Sequence, residues 1–82
     1  MKLYEFKTKY MSRLALLETT SKREKELKDM LMTKLNNLRS MNLPNLVHTL
    51  YRILEYENVG KDFKELCKSM VEDISKLDFE SD

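Results

Sequence analysis

The sequence predicts an all-α protein of four helical segments, arranged in a small bundle or in helical hairpins. Glycine and proline occur once each among 82 residues, far below their average usage of about 7% and 5%, which disfavours β-sandwiches and loop-rich folds. Charged residues make up 35% of the chain and leucine is its commonest apolar residue, a composition typical of amphipathic helices. Residues 1–82 are therefore predicted to form a single helical domain with a modest core.

Apolar residues recur at helical spacing in four stretches, which predict the helices in order. The first helix is predicted over residues 2–18, with Leu3, Phe6, Tyr10, Leu14 and Leu17 on one face. The second carries Leu27, Met30, Leu31, Leu35, Leu38 and Met41, and the third carries Leu46, Val47, Leu50, Tyr51, Ile53 and Leu54. The fourth has the cleanest amphipathic pattern, with Phe63, Leu66, Cys67, Met70, Val71, Ile74 and Leu77.

Turn-forming residues predict where these helices begin and end. Pro44 disfavours helical geometry in the residue before it, so residues 42–45 are expected to stop the second helix. Pro44 itself suits the first turn of the third helix. Gly60 is expected to end the third helix in the left-handed conformation. Asp62 and Glu65 have the spacing of a capping box that would open the fourth helix.

The segment LETTSKREKEL, residues 17–27, decides whether the first two helices are separate. Ser21 and Glu24 have the spacing of a capping box, and the threonines before them are mediocre helix formers. Both features favour a break at Thr19–Ser21. The alternative is that the first two helices merge into one long helix, because a heptad of mostly apolar residues continues through this segment. The apolar stripes on its two sides differ in direction by roughly a quarter turn, so we favour the break.

No catalytic, cofactor or metal site is predicted. His48 is the only histidine and Cys67 the only cysteine, whereas a metal site needs several such ligands. Gly60 alone does not make a phosphate-binding loop. We expect Cys67 to be a core thiol and His48 a surface or boundary imidazole. The chain is therefore expected to have no enzymatic activity and no small-molecule substrate.

The same composition indicates a cytoplasmic protein. A single cysteine cannot form an internal disulfide, which disfavours a secreted disulfide scaffold. The longest apolar run is Leu14-Ala15-Leu16-Leu17, whereas a membrane-spanning helix needs about 20 apolar residues and the core of a signal peptide about 7–15. Direct insertion into a membrane is therefore not expected.

Charge is distributed unevenly although the net charge is only +1. Residues 1–41 contain ten basic and five acidic residues, net +5, and residues 42–82 contain five and nine, net −4. The two halves attract each other, within one chain or between two chains. The basic run Lys22–Lys28 is interleaved with acidic residues, so a solvated helix face is the preferred interpretation and nucleic-acid binding is not expected.

The first and third helices have more apolar width than one packing face needs. Tyr4 and Met11 widen the stripe of the first helix, and Val47 and Tyr51 lie at the edge of the stripe on the third. In a protein this small, such width indicates a centrally packed helix or an exposed protein-binding patch. Tyrosine is enriched at binding hot spots. The predicted partner surface is therefore centred on Val47 and Tyr51, with Tyr4 and Met11 as a second half, and homo-oligomers are expected.

The chain resembles the small early proteins of T-even-type phages in its Met1-Lys2 start, its compact helical patterning and its lysine and asparagine richness, as in TKLNNLRSMN. More specifically, it looks like the cytosolic accessory lysis-inhibition proteins of those phages, the antiholins. The resemblance implies a regulator in the host cytoplasm that binds the cytoplasmic part of a holin, or another antiholin, and delays lysis. It assigns no role to any residue. Another phage-encoded inhibitor, a structural helical oligomer and a nucleic-acid-binding regulator stay open as alternatives.

Overall fold

The computed structural model describes residues 1–78, which form four α-helices and no strand. The helices are α1 (Leu3–Leu16), α2 (Lys22–Asn36), α3 (Leu43–Tyr56) and α4 (Lys61–Ile74), and a short 3-10 turn, Ser40–Asn42, precedes α3. The predicted all-α class and its four helical segments are confirmed.

The helices form an up-down-up-down bundle in which each helix lies antiparallel to its neighbours. α1 packs against α2 and α4, and α3 packs against α4. Polar contacts join α2 to α3 near both ends, through Arg23 with Glu57 at 2.7 Å and through Lys34 with Asn45 at 2.8 Å. α1 and α3 therefore occupy diagonally opposite corners of the bundle, and each has an outward face of its own.

The inward stripes of all four helices meet in one core. Phe6 and Tyr10 of α1 pack ring against ring, with centroids 4.9 Å apart. The buried apolar residues are Phe6, Tyr10, Leu14, Leu27, Leu31, Leu35, Leu38, Leu43, Leu46, Leu50, Ile53, Val59, Phe63, Leu66, Cys67, Met70, Ile74 and Leu77. Two members of the predicted second stripe differ from this set, since Met30 and Met41 are exposed.

The predicted break between the first two helices is confirmed. α1 ends at Leu16 and α2 begins at Lys22, so the two do not merge into one long helix. The hydroxyl of Ser21 accepts a hydrogen bond from the backbone N–H of Glu24 at 3.1 Å, which satisfies one of the free donors at the start of α2. At the end of α1, the ammonium group of Lys28 donates to the carbonyl oxygen of Leu17 at 2.9 Å.

The predicted end of the second helix at residues 42–45 is wrong, because α2 already stops at Asn36. Asparagine side chains compete with the helical backbone for hydrogen bonds. The amide of Asn37 donates to the carbonyl oxygen of Thr33 at 3.1 Å, and the amide of Asn42 donates to that of Asn37 at 3.2 Å. Pro44 does lie in the first turn of α3, as predicted.

Two predictions about the α3–α4 turn are also wrong. α3 ends at Tyr56, and Gly60 takes φ −69° and ψ 168° as the N-cap residue of α4, so it does not adopt the left-handed conformation. α4 begins at Lys61, which places Asp62 inside the first turn, and no side chain caps this helix. The physical reason is a long-range contact: the N–H of Gly60 donates to the carboxylate of Glu24 at 2.8 Å.

Candidate protein-interaction surface

Glu24 is the one charged side chain that is buried among residues 1–78, at 3% exposure. Its carboxylate accepts hydrogen bonds from the backbone N–H of Thr20 at 3.2 Å, from the Thr20 hydroxyl at 2.8 Å and from the backbone N–H of Gly60 at 2.8 Å. These bonds, led by that from the Thr20 hydroxyl, lower the pKa of Glu24 despite its burial. Glu24 thus joins the α1–α2 turn to the α3–α4 turn, and its oxygens are occupied within the chain.

A second polar cluster joins α1 to α4. The carboxylate of Asp73 accepts from the ammonium group of Lys9 at 2.7 Å and from the hydroxyl of Tyr10 at 2.6 Å. Lys9 and then Tyr10 lower the pKa of Asp73 by stabilising its charged form. Burial, followed by the bond to Asp73, raises the pKa of Tyr10. Tyr10 is therefore a neutral hydrogen-bond donor that holds the two helices together.

The two residues with potential for nucleophilic chemistry lie apart. Cys67 is fully buried, and burial raises the pKa of its thiol to about 12, so it is protonated and unreactive at neutral pH. His48 is exposed on α3. Both placements agree with the sequence prediction. Within residues 1–78, no three His, Cys, Asp or Glu side chains are placed to hold a metal ion.

Two of the four basic residues in the run at the start of α2, Arg23 and Lys28, are engaged within the chain. Arg23 donates to both carboxylate oxygens of Glu57, at 3.0 and 2.7 Å, and lies 3.4 Å from Glu26. Glu57 and Glu26 raise the pKa of Arg23, and Arg23 lowers that of Glu57. Since the ammonium group of Lys28 binds a backbone carbonyl, the run is not a continuous free basic surface of the kind that binds phosphates.

The four residues of the predicted partner surface fall on two separate corners of the bundle. On α3, Tyr51 is 49% exposed and Val47 is partly buried against the core. On α1, Tyr4 is 66% exposed and Met11 is partly buried against the core. Because α1 and α3 are diagonally opposed, the structure does not bring the two pairs into one surface. Val47 instead borders α4.

Val47 lies in an apolar cleft where α3 meets α4. The cleft has a volume of about 410 Å³ and is lined by Ser40, Leu43, Pro44, Val47 and Ile74. Met41, which follows Ser40 in the chain, is 88% exposed. This end of α3 therefore presents apolar atoms to solvent next to the predicted centre of the partner surface.

The outward side of α3 carries a set of side chains that sequence reasoning missed in part. We call it the outer α3 face, and it consists of His48, Tyr51, Arg52, Glu55 and Tyr56, which line one open cleft of about 540 Å³. Tyr56 is 76% exposed. None of the five side chains makes a hydrogen bond or an ion pair with another residue of the described range 1–78. Only Tyr51 was predicted, because a mixed polar and aromatic helix face has the same sequence pattern as an ordinary solvated one.

Comparisons with protein-family models, with curated proteins and with solved structures find no match for this chain. Over residues 1–78, every helix is too short or too polar to cross a membrane. The surfaces described above are therefore the basis on which a function can be argued.

Proposed function

We propose that the chain is a non-enzymatic regulatory protein that acts by docking the outer α3 face, with Val47 beside it, onto another protein. The proposal rests on one observation, the difference in hydrogen bonding between the interior of the bundle and the outer α3 face. The buried polar side-chain atoms within residues 1–78 all have hydrogen-bond partners, whereas the outer α3 face exposes two tyrosines and two opposite charges without any. Tyrosine and arginine are the residue types most enriched at binding hot spots.

The mode of binding we propose is helix against helix. α3 is amphipathic, with Leu46, Leu50 and Ile53 directed into the core, so its opposite side is the part that a partner can reach. A helical partner with an apolar stripe would bury the rings of Tyr51 and Tyr56 and leave their hydroxyl groups at the rim.

The resemblance to antiholins supplies the first partner to test, the cytoplasmic part of a phage holin. We propose that binding to this segment, or to a second antiholin, delays lysis from within the host cytoplasm. The basic run of α2 gives no support to a nucleic-acid function, because Arg23 and Lys28 are engaged within the chain.

The test compares two tyrosines on opposite corners of the bundle. Tyr51→Glu should raise the dissociation constant for a purified holin cytoplasmic segment by about 30-fold, a hot-spot loss of about 2 kcal/mol. Tyr4→Glu makes the same chemical change on α1 and should leave the affinity within about threefold, as expected outside a hot spot. Binding is measured by isothermal titration calorimetry, and circular dichroism checks that both variants stay folded.

Each outcome bears on a different part of the proposal. Equal losses for the two variants would remove the outer α3 face from the interaction. If the wild-type chain does not bind the holin segment, the antiholin assignment falls. The interaction function is then tested with a photo-cross-linker at position 51, which should capture a protein in cells when a cross-linker at position 4 does not.

A further inference from the structure

We propose that the outer α3 face binds the same face of a second copy of the chain, in an antiparallel pair of α3 helices related by a two-fold axis. The inference rests on the proposed function, because it takes this face to be an interaction surface. It goes further by naming one occupant and the contacts that hold it.

The outer α3 face carries two opposite charges. Arg52 and Glu55 are both exposed, lie three residues apart on the same side of α3, and do not bond to each other. The same spacing in α2 does produce a pair, since Arg23 and Glu26 lie 3.4 Å apart. Arg52 makes no hydrogen bond or ion pair within residues 1–78, although its charge adds to the bond from Arg23 in lowering the pKa of Glu57. The guanidinium of Arg52 and the carboxylate of Glu55 therefore keep their hydrogen-bonding groups open to whatever covers this face.

A two-fold axis lets these two charges pair with each other between two copies of the chain. In a two-fold contact, if residue i of one copy meets residue j of the other, then j also meets i. An antiparallel pair of α3 helices whose axis lies level with Ile53 and Leu54 brings Arg52 of each copy opposite Glu55 of the other. One register thus forms two ion pairs from a single pair of residues, and arginine can bind each carboxylate with two N–H donors.

Two aromatic residues of α3 flank these charges. Successive side chains of a helix are separated by about 100°, so Tyr51 and Tyr56 lie on opposite sides of the line through Arg52 and Glu55. In the proposed register, Tyr56 lies beside the second copy's guanidinium group, where an arginine over a tyrosine ring is favourable. Tyr51 covers the other side of the seam and shields the ion pairs from water.

Pairing of the basic half of one chain with the acidic half of another is a weaker alternative. Ion pairs between the halves already form within the chain, at 2.7 Å both for Lys9 with Asp73 and for Arg23 with Glu57. A head-to-tail contact between two such surfaces would build a ring or an open chain instead of a dimer. The outer α3 face instead pairs with itself and closes as a dimer. It consists of five residues, whereas a standard stable interface has about 20–30 residues per partner, so we expect a dimer of micromolar affinity or weaker.

The experiment reverses the two charges separately and together. Arg52→Glu and Glu55→Arg should each raise the dimer dissociation constant at least tenfold, a loss within the range of coupled charge pairs. The double variant should return to within about threefold of wild type. An equimolar mixture of the two single variants should form a heterodimer, because each supplies the charge that the other lacks. Sedimentation equilibrium at low salt measures all four samples.

The matched control uses an exposed pair at the C-terminal end of α4, formed by Glu72 in the helix and Lys76 just beyond it. Lys76 and Glu72 lie 3.4 Å apart at the surface, and Lys76→Glu changes the net charge by the same amount as Arg52→Glu. It should leave the dimer dissociation constant unchanged. Thermal melts followed by circular dichroism establish that every variant has the wild-type helical content.

A wild-type chain that stays monomeric to millimolar concentration overturns the inference, and so does a dimer that Arg52→Glu does not weaken or that the double variant does not restore. The proposed function fails differently. If the chain is monomeric and Tyr51→Glu still abolishes binding to the holin segment, the function stands without self-association. If the charge reversals behave as expected and no holin segment binds, the dimer stands without that partner.

Discussion

The turn end of the bundle and the outer α3 face use similar residues to opposite effect. We define the turn end as the α1–α2 turn, residues 17–21, and the α3–α4 turn, residues 57–60, with the start of α2 between them. At the turn end, Glu24 accepts three hydrogen bonds and Arg23 binds Glu57 through two. On the outer α3 face, Arg52 and Glu55 make no hydrogen bond or ion pair within residues 1–78, although the charge of Arg52 adds to the bond from Arg23 in lowering the pKa of Glu57. The same residue types form crosslinks in one region and keep their hydrogen-bonding groups exposed to solvent in the other.

The comparison shows where polar residues contribute to folding and where they are available for binding. A buried carboxylate is tolerated at the turn end because neighbouring N–H and O–H groups replace water around it. A hydrogen bond to a charged group contributes about 1.5–3 kcal/mol. Exposed charges contribute little to stability, so changes on the outer α3 face should be almost silent in unfolding experiments and visible in binding experiments.

The largest effect is expected from Leu50→Glu, on the inner side of α3. Leu50 is fully buried, and the variant would place an unpaired charge in the core of a domain whose stability is about 5–15 kcal/mol at most. We expect loss of the helical circular dichroism signal at 25 °C. The adjacent Tyr51→Glu should keep that signal, because Tyr51 is 49% exposed. If both variants unfold equally, Tyr51 belongs to the core and the outer α3 face is misplaced.

The next effect is expected from Glu24→Ala at the turn end. The change leaves the donors of Thr20 and Gly60 without their acceptor, which should lower the free energy of unfolding by about 2–3 kcal/mol. Urea denaturation measures this loss. Glu26→Ala is the matched control, since Glu26 is exposed on the same helix and its carboxylate pairs with Arg23 alone within residues 1–78. It should cost about 0.5 kcal/mol or less, and equal losses for the two variants would contradict the role of Glu24.

The charge of Glu24 can be separated from its shape by pH. Its pKa is lowered in the folded state, so it stabilises the fold above its unfolded pKa and loses that contribution as pH falls through the folded value. Glu24→Gln should therefore be less stable than wild type near neutrality, and the gap should narrow as the pH falls below about 4.5, the ordinary pKa of the side chain. Both the wild type and the variant should weaken in acid for a second reason, because Lys9 and then Tyr10 lower the pKa of Asp73. A gap that does not change with pH would mean that charge is not what Glu24 contributes.

Local signals in the sequence predicted what depends on local contacts. The helical spacing of apolar residues predicted the core, and Ser21 predicted the start of α2, because both act within one or two helical turns. Gly60 was misjudged because its position depends on Glu24, 36 residues earlier in the chain. Patterns of neighbouring residues contain no record of that contact. The early end of α2 was missed for another reason: the bonds of Asn37 to Thr33 and of Asn42 to Asn37 are local, but the prediction gave weight to Pro44 and not to the asparagines.

The candidate site could also be predicted only in part from the sequence. The sequence predicted that Tyr51 would lie at the edge of a stripe, and the structure exposes it. The sequence could not separate Tyr4 from Tyr51, because which corner of the bundle each helix occupies is a property of the packed fold. Arg52 and Glu55 became candidates only when the fold showed that neither makes a hydrogen bond or an ion pair within residues 1–78.

The smallest effect is expected from Ser21→Ala, which tests the turn end at its most local contact. The Ser21 hydroxyl accepts the N–H of Glu24 at 3.1 Å, and replacing a serine cap by alanine costs about 1 kcal/mol. The loss should be smaller than that of Glu24→Ala, because one hydrogen bond is removed and the link to Gly60 stays. Ser12→Ala is a suitable control, since Ser12 is exposed within α1 and alanine is the better helix former there. Urea denaturation should show Ser21→Ala destabilised and Ser12→Ala neutral or slightly stabilised. If Ser21→Ala is stabilised as well, residue 21 behaves as a helix interior, and α1 and α2 would be continuous in solution.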